Sequence, residues 1–467
     1  MSPLYGVSMH HRMPKIKDWS YIVSNYKDKA YLHFDKRCSL NNNISLRAYV
    51  EDPQKVASHS FYPFIHFQMV QRKIEKNDVT KKVKLKDPKL RELYFASHLD
   101  RCIYTRYAYL LNERYNDFSS LHGLDNVAIA YRTNTGKCNI DYAINAFEKI
   151  LSMTECLIFV TDFSSFFDKL DHKYLKKQIK LIWSGGNANG CLPDDLYAVY
   201  KNITKYSFFD KDFLEEEVKA RDLSVRQLSC YSQAFSIKEI KKHMSVNKAG
   251  VGIPQGSPVS AVLSNIYMVE KDQEICKKVS EKGGFYKRYC DDVIIAIPVK
   301  SKLQAMTEGE YWIRYFSNLK VAVINAQKTE LRYFSKGQIF DLKDNAKSKI
   351  DYLGFVFDGR AIKVRDKSIG KYFYRMRKKA LQVGRSKGIT KLKKQLYPWR
   401  LYDLYSTCRK DKRWIGPKKE KRTQRNFISY LNRANKKNYL KFDVKSLKLL
   451  KRHKFYVRKF IKEGANR

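Results

Sequence analysis

No stretch of this 467-residue chain holds about 18 consecutive apolar residues, and none of its first thirty residues belong to a long apolar run. Those absences argue against a membrane-spanning helix and against a secretory leader. Nine cysteines are present (Cys38, Cys102, Cys138, Cys156, Cys191, Cys230, Cys276, Cys290 and Cys408), but no two form a Cys-x-x-Cys pair. An odd, scattered set argues against structural zinc and against a disulfide framework, and it fits a reducing cytoplasm. There is no internal repeat and no low-complexity tract. Acid is scarce: 47 Asp+Glu face 92 Lys+Arg, a net charge of +45. Such an excess repels itself and calls for a polyanionic partner.

What is present narrows the partner. Aromatic residues make up 14%, with 33 Tyr and 26 Phe, and 43% of the chain is hydrophobic. The hydrophobic share excludes a basic disordered tail. Basic groups for phosphates with flat rings for bases is the composition of a protein that binds single-stranded nucleic acid. The length allows two to four lobes.

The organising stretch is Phe285-Tyr286-Lys287-Arg288-Tyr289-Cys290-Asp291-Asp292-Val293-Ile294-Ile295-Ala296-Ile297. It predicts strand, tight turn, strand, and Val293 to Ile297 is apolar on both faces, as in a covered sheet. Two carboxylates at the tip of a buried hairpin are costly unless neutralised, and a divalent cation does this best. A plain polar turn is the alternative. A second site follows the apolar run Cys156 to Val160, which predicts a central strand with Asp162 at its end. After it, Phe166 and Phe167 open a helix continued by Leu170 and Leu175. One Asp from a strand and two from a hairpin make a three-carboxylate set, the number that holds two Mg²⁺ ions about 4 Å apart.

A third feature is the loop Gly250-Val251-Gly252-Ile253-Pro254-Gln255-Gly256-Ser257-Pro258, whose glycines permit close backbone approach to a ligand. It feeds a helix through Ala261, Leu263, Ile266 and Met268. Elsewhere, Phe61 to Phe67 reads as a strand in which His66 is a packed residue. Arg91 to Phe118 has helical spacing, with a stripe of Leu99, Cys102, Ile103, Tyr107, Leu110 and Leu111. Lys84, Lys86, Lys89 and Arg91 are candidates for a phosphate-binding strand. Residues 128–136 read as a short strand, Ile140–Leu151 and Glu308–Leu319 as helices, and 321–330 as strand, turn, strand. Residues 184–246 read as an insertion of poor periodicity. From Lys371 onward, 33 Lys+Arg face 5 Asp+Glu, so 28 of the +45 sits there among helix-like, aromatic stretches. That charge is the best candidate for gripping a nucleic-acid duplex or a folded RNA.

In series these motifs resemble those of reverse transcriptases. Asp162 with Phe166-Phe167 resembles motif A, Ile253 to Pro258 motif B, and Tyr289-Cys290-Asp291-Asp292 the Tyr-x-Asp-Asp box of motif C. Asn325 through Thr329 resembles motif D, and Tyr352-Leu353-Gly354 the primer grip. The likeness spans about residues 60–360. The block Arg91 to Leu111, with Tyr94 to Asp100 and Ile103-Tyr104, is similar to bacterial defence-associated enzymes of the abortive-infection and "unknown group" type, although Glu92 stands where many relatives have Pro.

The resemblance implies an α+β right-hand polymerase fold, with fingers, a palm built on an antiparallel sheet, and a thumb. Residues 1–60 would be an N-terminal extension and 61–155 the fingers with the start of the palm. Residues 156–360 would be the palm with its insertion and primer-grip hairpin, and 361–467 a basic, mainly helical thumb and RNA-binding region. It implies that Asp162, Asp291 and Asp292 hold two Mg²⁺ ions, Mn²⁺ being a substitute, with the main-chain carbonyl of Phe163 as a further ligand. Phe167 would exclude a ribose 2′-hydroxyl. Gln255 and Gly256 would lie against the nascent base pair, Arg91 and Lys89 would hold the triphosphate, and Lys328 would protonate pyrophosphate. The implied partners are deoxynucleoside triphosphates, a DNA primer or product, and an RNA template, a structured non-coding RNA in the favoured reading. That reading is antiviral defence in a bacterial cytoplasm; a homo-oligomer is compatible with it. Retron- or intron-type enzymes, template-independent or protein-primed synthesis, and an RNA-binding scaffold with a dead polymerase fold are the alternatives.

Overall fold

Strands β1 (Phe64–Lys76) and β2 (Val83–Phe95) form a long antiparallel hairpin ahead of a 24-residue helix, His98–Leu121. The structure is a computed structural model, and it describes residues 18–76, 83–220, 242–386, 398–405, 426–437, 441–442 and 452–466. No helix among the described residues is long and apolar enough to cross a membrane. The chain divides into two compact units, one of residues 1–136, 159–295 and 310–329, the other of 137–158, 296–309 and 330–467.

In the first unit, the helix expected from Arg91 starts only at His98. Residues 83–95 pair one by one with β1, and Ser97 caps the helix by accepting from the Asp100 N–H at 3.0 Å. Ladder pairing overrides helical spacing here. Cys102, Ile103, Tyr107 and Leu111 form its buried stripe; Leu99 and Leu110 lie at its margin. Strand β3 (Glu155–Asp162) runs into this unit with Cys156 to Phe159 inaccessible to water. The segment read as an insertion supplies β4 (Ser207–Asp210), parallel to the start of β1, and β5 (Ser245–Val246), antiparallel to β4. Two- and four-residue strands are too short to show a period. Residues 221–241 of that segment lie outside the described residues.

The organising stretch folds as expected into β6 (Phe285–Tyr289) and β7 (Asp292–Pro298), joined by Cys290 and Asp291. Val293 to Ile297 are at most 2% exposed. Cys290 has φ +60°, so the connection is a two-residue turn with positive φ at its first position. Beneath it, Arg288 and Asp272 are fully buried and doubly bonded, Nε to Oδ1 at 2.9 Å and a terminal guanidinium nitrogen to Oδ2 at 2.6 Å. The Tyr286 hydroxyl donates to the same carboxylate at 2.7 Å, and Arg288 donates to the Cys290 carbonyl at 3.0 Å. Arg288 therefore ties the hairpin tip to the helix Val269–Ser280.

Two sequence expectations need correction. Residues 128–136 form no strand; Ala128 makes one isolated bridge to Arg288, and the extended path ends at Tyr131, where φ is +60°. Residues 321–325 are a loop bridged to Phe163 through Ile324, followed by a short 3-10 turn, Ala326–Lys328. The apolar loop before Pro258–Tyr267 is held by its glycines. Gly256 has φ +123°, and a Cβ there would sit 2.7 Å from the Tyr94 carbonyl oxygen. Gly252 has φ +86°, and its Cβ would sit 2.9 Å from the Asp168 carbonyl oxygen.

The second unit holds the helix Asn139–Leu151, whose Phe147 stacks on Phe357 at 4.9 Å. Its strands are the hairpin β8 (Glu330–Ser335) and β9 (Gln338–Asp341), then β10 (Ile350–Tyr352), β11 (Phe355–Phe357) and β12 (Ala361–Val364), with β13 (Lys441–Phe442) parallel to β12. Leu353 and Gly354 are the β10–β11 turn, both at positive φ, and Asn139 donates to the Leu353 carbonyl at 3.1 Å. The basic helices Asp366–Arg385 and His453–Ala465 cross closely at Gly384 and Gly464, where a side chain on either would strike the other's backbone.

Replacing Arg288 by Met should cost about 3–5 kcal/mol in urea denaturation, because Asp272 is left as an uncompensated buried charge; a change below about 1 kcal/mol would show that the pair does not carry the hairpin. Gly256→Ala should cost about 1–3 kcal/mol in the same assay through its forbidden φ and the carbonyl it meets. An unchanged midpoint would mean that the loop can move away from Tyr94.

Candidate active site

The end of β3 and the β6–β7 turn meet through one backbone bond: the Phe163 N–H donates to the Asp291 carbonyl at 3.0 Å. A second bond fixes Asp162 from its other side, where the Asn325 N–H donates to its carbonyl at 2.8 Å. Asp162 and Asp291 thus stand on adjacent backbone positions despite their distance in sequence, and both line one cavity of about 600 Å³. Phe163, Phe167, Gln255, Gly256, Lys89, Arg91 and Lys328 line the same cavity. Lys89 and Arg91 are two apart on β2, which places them on one face of the strand. Phe167 is half-buried, packed edge-on to the buried Phe166 at 6.0 Å. Gln255 is held at both ends: its carbonyl accepts the Tyr94 N–H at 2.9 Å, and its side-chain amide donates to Asp168 at 3.1 Å.

The electrostatics centre on Asp162. Its Oδ2 is ion-paired with the Lys328 ammonium, whereas its Oδ1 is buried with no hydrogen-bond partner. The Ser257 hydroxyl, also lining the cavity, is buried without a partner. An orphaned carboxylate oxygen is costly and is the position at which a hard cation would repay the loss. The available donors are oxygens throughout, which suits Mg²⁺ or Mn²⁺ rather than a thiophilic metal. Burial pushes the Cys290 thiol up to about 12, so the sulfur in the turn is neutral.

Among the described residues, no three His, Cys, Asp or Glu side chains converge as a metal site. Asp292 is exposed and does not line the cavity. It is the first residue of β7, just after the turn that carries Asp291. The residues fit a cation held by Asp162 and Asp291 with substrate oxygens completing its shell. Tyr352, Leu353 and Gly354 belong to the other compact unit, as the tight turn of its β10–β11 hairpin.

Sequence reasoning missed several lining residues. Asp168 follows the motif-like strand end but carries no signal beyond its bond to Gln255. Tyr131 reaches the cavity because its backbone is left-handed and its carbonyl is held by Asn112 at 2.8 Å, a long-range contact. Glu92 also lines it; its carboxylate accepts from Gln68 at 2.9 Å and meets the His66 ring, and these bonds hold it below the usual carboxylate range. His66 itself bridges Glu92 and Asp210 on the sheet surface.

Residues 195–357 match the family model described as "Reverse transcriptase (RNA-dependent DNA polymerase)". That span contains Gln255, Gly256, Asp291, Asp292 and Lys328, and Asp162 lies upstream of it. No curated protein matches the chain. Among solved structures, the chain is similar to an apo telomerase from Candida tropicalis truncated from its C-terminal domain, at 12% identity and TM-score 0.38, covering 69% of this chain and 59% of that one. A Candida albicans telomerase in complex with a fragment of telomeric RNA aligns at 12% identity and TM-score 0.35, covering 78% and 59%. The chain spans less than two thirds of either, and at these scores the likeness carries no argument. Residues 195–357 thus match a reverse transcriptase domain, an RNA-directed DNA polymerase and so a nucleotidyltransferase, and the mixed helix–sheet architecture, whose β6–β7 hairpin presents Asp291 beside Asp162, fits a right-hand polymerase fold.

Proposed function

We propose that the protein copies an RNA template into DNA by two-metal nucleotidyl transfer. The observation that carries this reading is the Phe163–Asp291 backbone bond, which puts two carboxylates at one end of a cavity walled by Lys89, Arg91 and the Gln255–Gly256 loop. Asp162 and Asp291, with the Phe163 carbonyl, would hold Mg²⁺. Bound there, the metal supplies Lewis acidity for a primer 3′-hydroxyl and neutralises charge on a triphosphate. The residues do the rest. Arg91 and Lys89 hold the triphosphate from the β2 side. Gln255, fixed at both ends, and Gly256, with no side chain, offer a flat backbone surface to a base pair. Lys328, ion-paired with Asp162, orients that carboxylate before substrate arrives and is the proton donor held against it. Phe167 fills the space where a ribose 2′-hydroxyl would project. Asp292 would act from outside the cavity as a support.

The template is read as a structured non-coding RNA, held in large part by the basic residues of 361–467, and the role as antiviral defence in bacteria. The charge excess and the likeness of residues 91–111 support this. Sequencing the RNA and complementary DNA that co-purify from the native host tests it: one discrete RNA with its matching DNA is expected, and a random cellular pool would refute it.

Asp162→Asn and Asp291→Asn should each abolish single-nucleotide addition to a primer–template while leaving the denaturation midpoint within about 1 kcal/mol of the parent, the usual range for exposed changes. A variant that still extends the primer overturns the metal assignment. Phe167→Ala should lower discrimination against ribonucleotides by about ten- to two-hundred-fold in kcat/KM ratios; an unchanged ratio refutes the gate.

A further inference from the structure

A second cavity, of about 670 Å³, lies in the same compact unit and uses none of the residues above. Its walls are the helices His172–Trp183 and Asp194–Thr204, and its floor is the loop 249–251. Six lysines line it: Lys173, Lys176, Lys177 and Lys180 from the first helix, Lys201 and Lys205 from the second helix and its end. Their spacing of three or four keeps each set on one helical face. Tyr197 and Tyr200 stand between them, stacked at 6.2 Å, and the Lys176 ammonium lies 4.6 Å from the Tyr197 ring centre.

Facing two lysine-rich helices across one cavity is electrostatically costly, and the compensation inside the protein is small. Lys177 is paired with Glu270 at 2.9 Å. The only carboxylate lining the cavity, Asp171, already accepts the Tyr174 N–H at 2.7 Å as the helix cap. Among the described residues, Lys173, Lys180, Lys201 and Lys205 pair with no carboxylate. Folding holds these faces together through His172, whose N–H donates to the Gly250 carbonyl at 3.0 Å and whose carbonyl accepts from the Tyr200 hydroxyl at 2.8 Å. The repulsion is therefore built in and awaits an anion.

We propose that this cavity binds a single-stranded segment of nucleic acid through its phosphodiester groups, with a base laid on Tyr197. From Lys173 to Lys180 the helix rises about 10 Å, which matches roughly three nucleotides of a stacked strand at 3.4 Å each. Tyr197 is 42% exposed, and a base stacking on it would take the place of the Lys176 ammonium, which is then freed for a phosphate. The floor loop continues directly into Gly252–Ser257 of the candidate active site, and the Gly252 N–H is anchored to the Leu170 carbonyl at 2.8 Å. A strand held here would thus lie along the chain segment that enters the active-site loop. Only the identity of that strand, template or product, rests on the polymerase reading.

The test compares two full-length variants carrying equal charge loss. One has Lys173→Gln, Lys180→Gln, Lys201→Gln and Lys205→Gln; the other has Lys300→Gln, Lys320→Gln, Lys343→Gln and Lys347→Gln, all exposed and lining neither cavity. Binding of fluorescein-labelled oligouridylate is followed by anisotropy against salt. The cavity variant should bind at least about tenfold more weakly, with the slope of log K against log salt reduced by about 3, as four lost phosphate contacts require; the control should keep its slope within about one. Equal losses in both variants, or none, overturn the proposal. So does a cavity variant that loses free nucleoside triphosphate or polyglutamate binding by the same factor as oligouridylate. If the parent protein adds no nucleotide while the cavity substitutions still weaken oligouridylate binding, the polymerase reading falls and this site stands.

Discussion

The hydrogen bond from the Phe163 N–H to the Asp291 carbonyl joins two strands whose partners come from distant parts of the chain, and everything at the candidate active site is arranged around it. The bond forms only if β3 and the β6–β7 turn are in register, and a slip of one residue would turn each strand's apolar side chains outward. The unbroken apolar runs on both strands remove that freedom by being buried on both faces. Arg288 completes the constraint from below, holding the Cys290 carbonyl while its charge is matched by Asp272. A left-handed backbone at Cys290 then lets Asp291 follow at once.

Bringing two carboxylates together raises a cost that the protein meets with positive charge. Lys328 sits on one oxygen of Asp162, and the other is left without a partner in a buried position. The same imbalance recurs on a larger scale. The chain carries +45, and its second cavity gathers six lysines, of which Lys173, Lys180, Lys201 and Lys205 pair with no carboxylate among the described residues. Both cavities are incomplete without an anion or a cation from outside, and polyphosphate with its counterions supplies both. Charge of this kind weakens steeply with salt, so binding by this protein has meaning only at a stated ionic strength.

The parts of the fold that were legible in the sequence are those where burial dictates residue type over several positions. Val293 to Ile297 and Cys156 to Val160 read directly as covered strands, and Gly252 and Gly256 as positions of close approach. Where several side chains share one wall only through tertiary contact, the sequence was silent. Tyr131 and Asp168 enter the active-site cavity by a left-handed residue and a glutamine bond, neither of which has a local pattern. Helical spacing after Arg91 was misleading because the ladder to β1 outweighs it. Asp291 lines the active-site cavity and the exposed Asp292 does not, a difference between adjacent residues that no local pattern marks. The lysine cavity was hidden because its two helices, His172–Trp183 and Asp194–Thr204, meet only in the fold, the second of them inside the segment 184–246 that read as an insertion.

The central claim is that Asp162 and Asp291 share a divalent cation with a bound triphosphate. Electron paramagnetic resonance of Mn²⁺, titrated into the protein with primer–template and a non-hydrolysable deoxynucleotide analogue, tests this without relying on turnover. The account predicts bound Mn²⁺ in the parent protein, and loss of that signal in both Asp162→Asn and Asp291→Asn. Undiminished Mn²⁺ binding in either variant would contradict it.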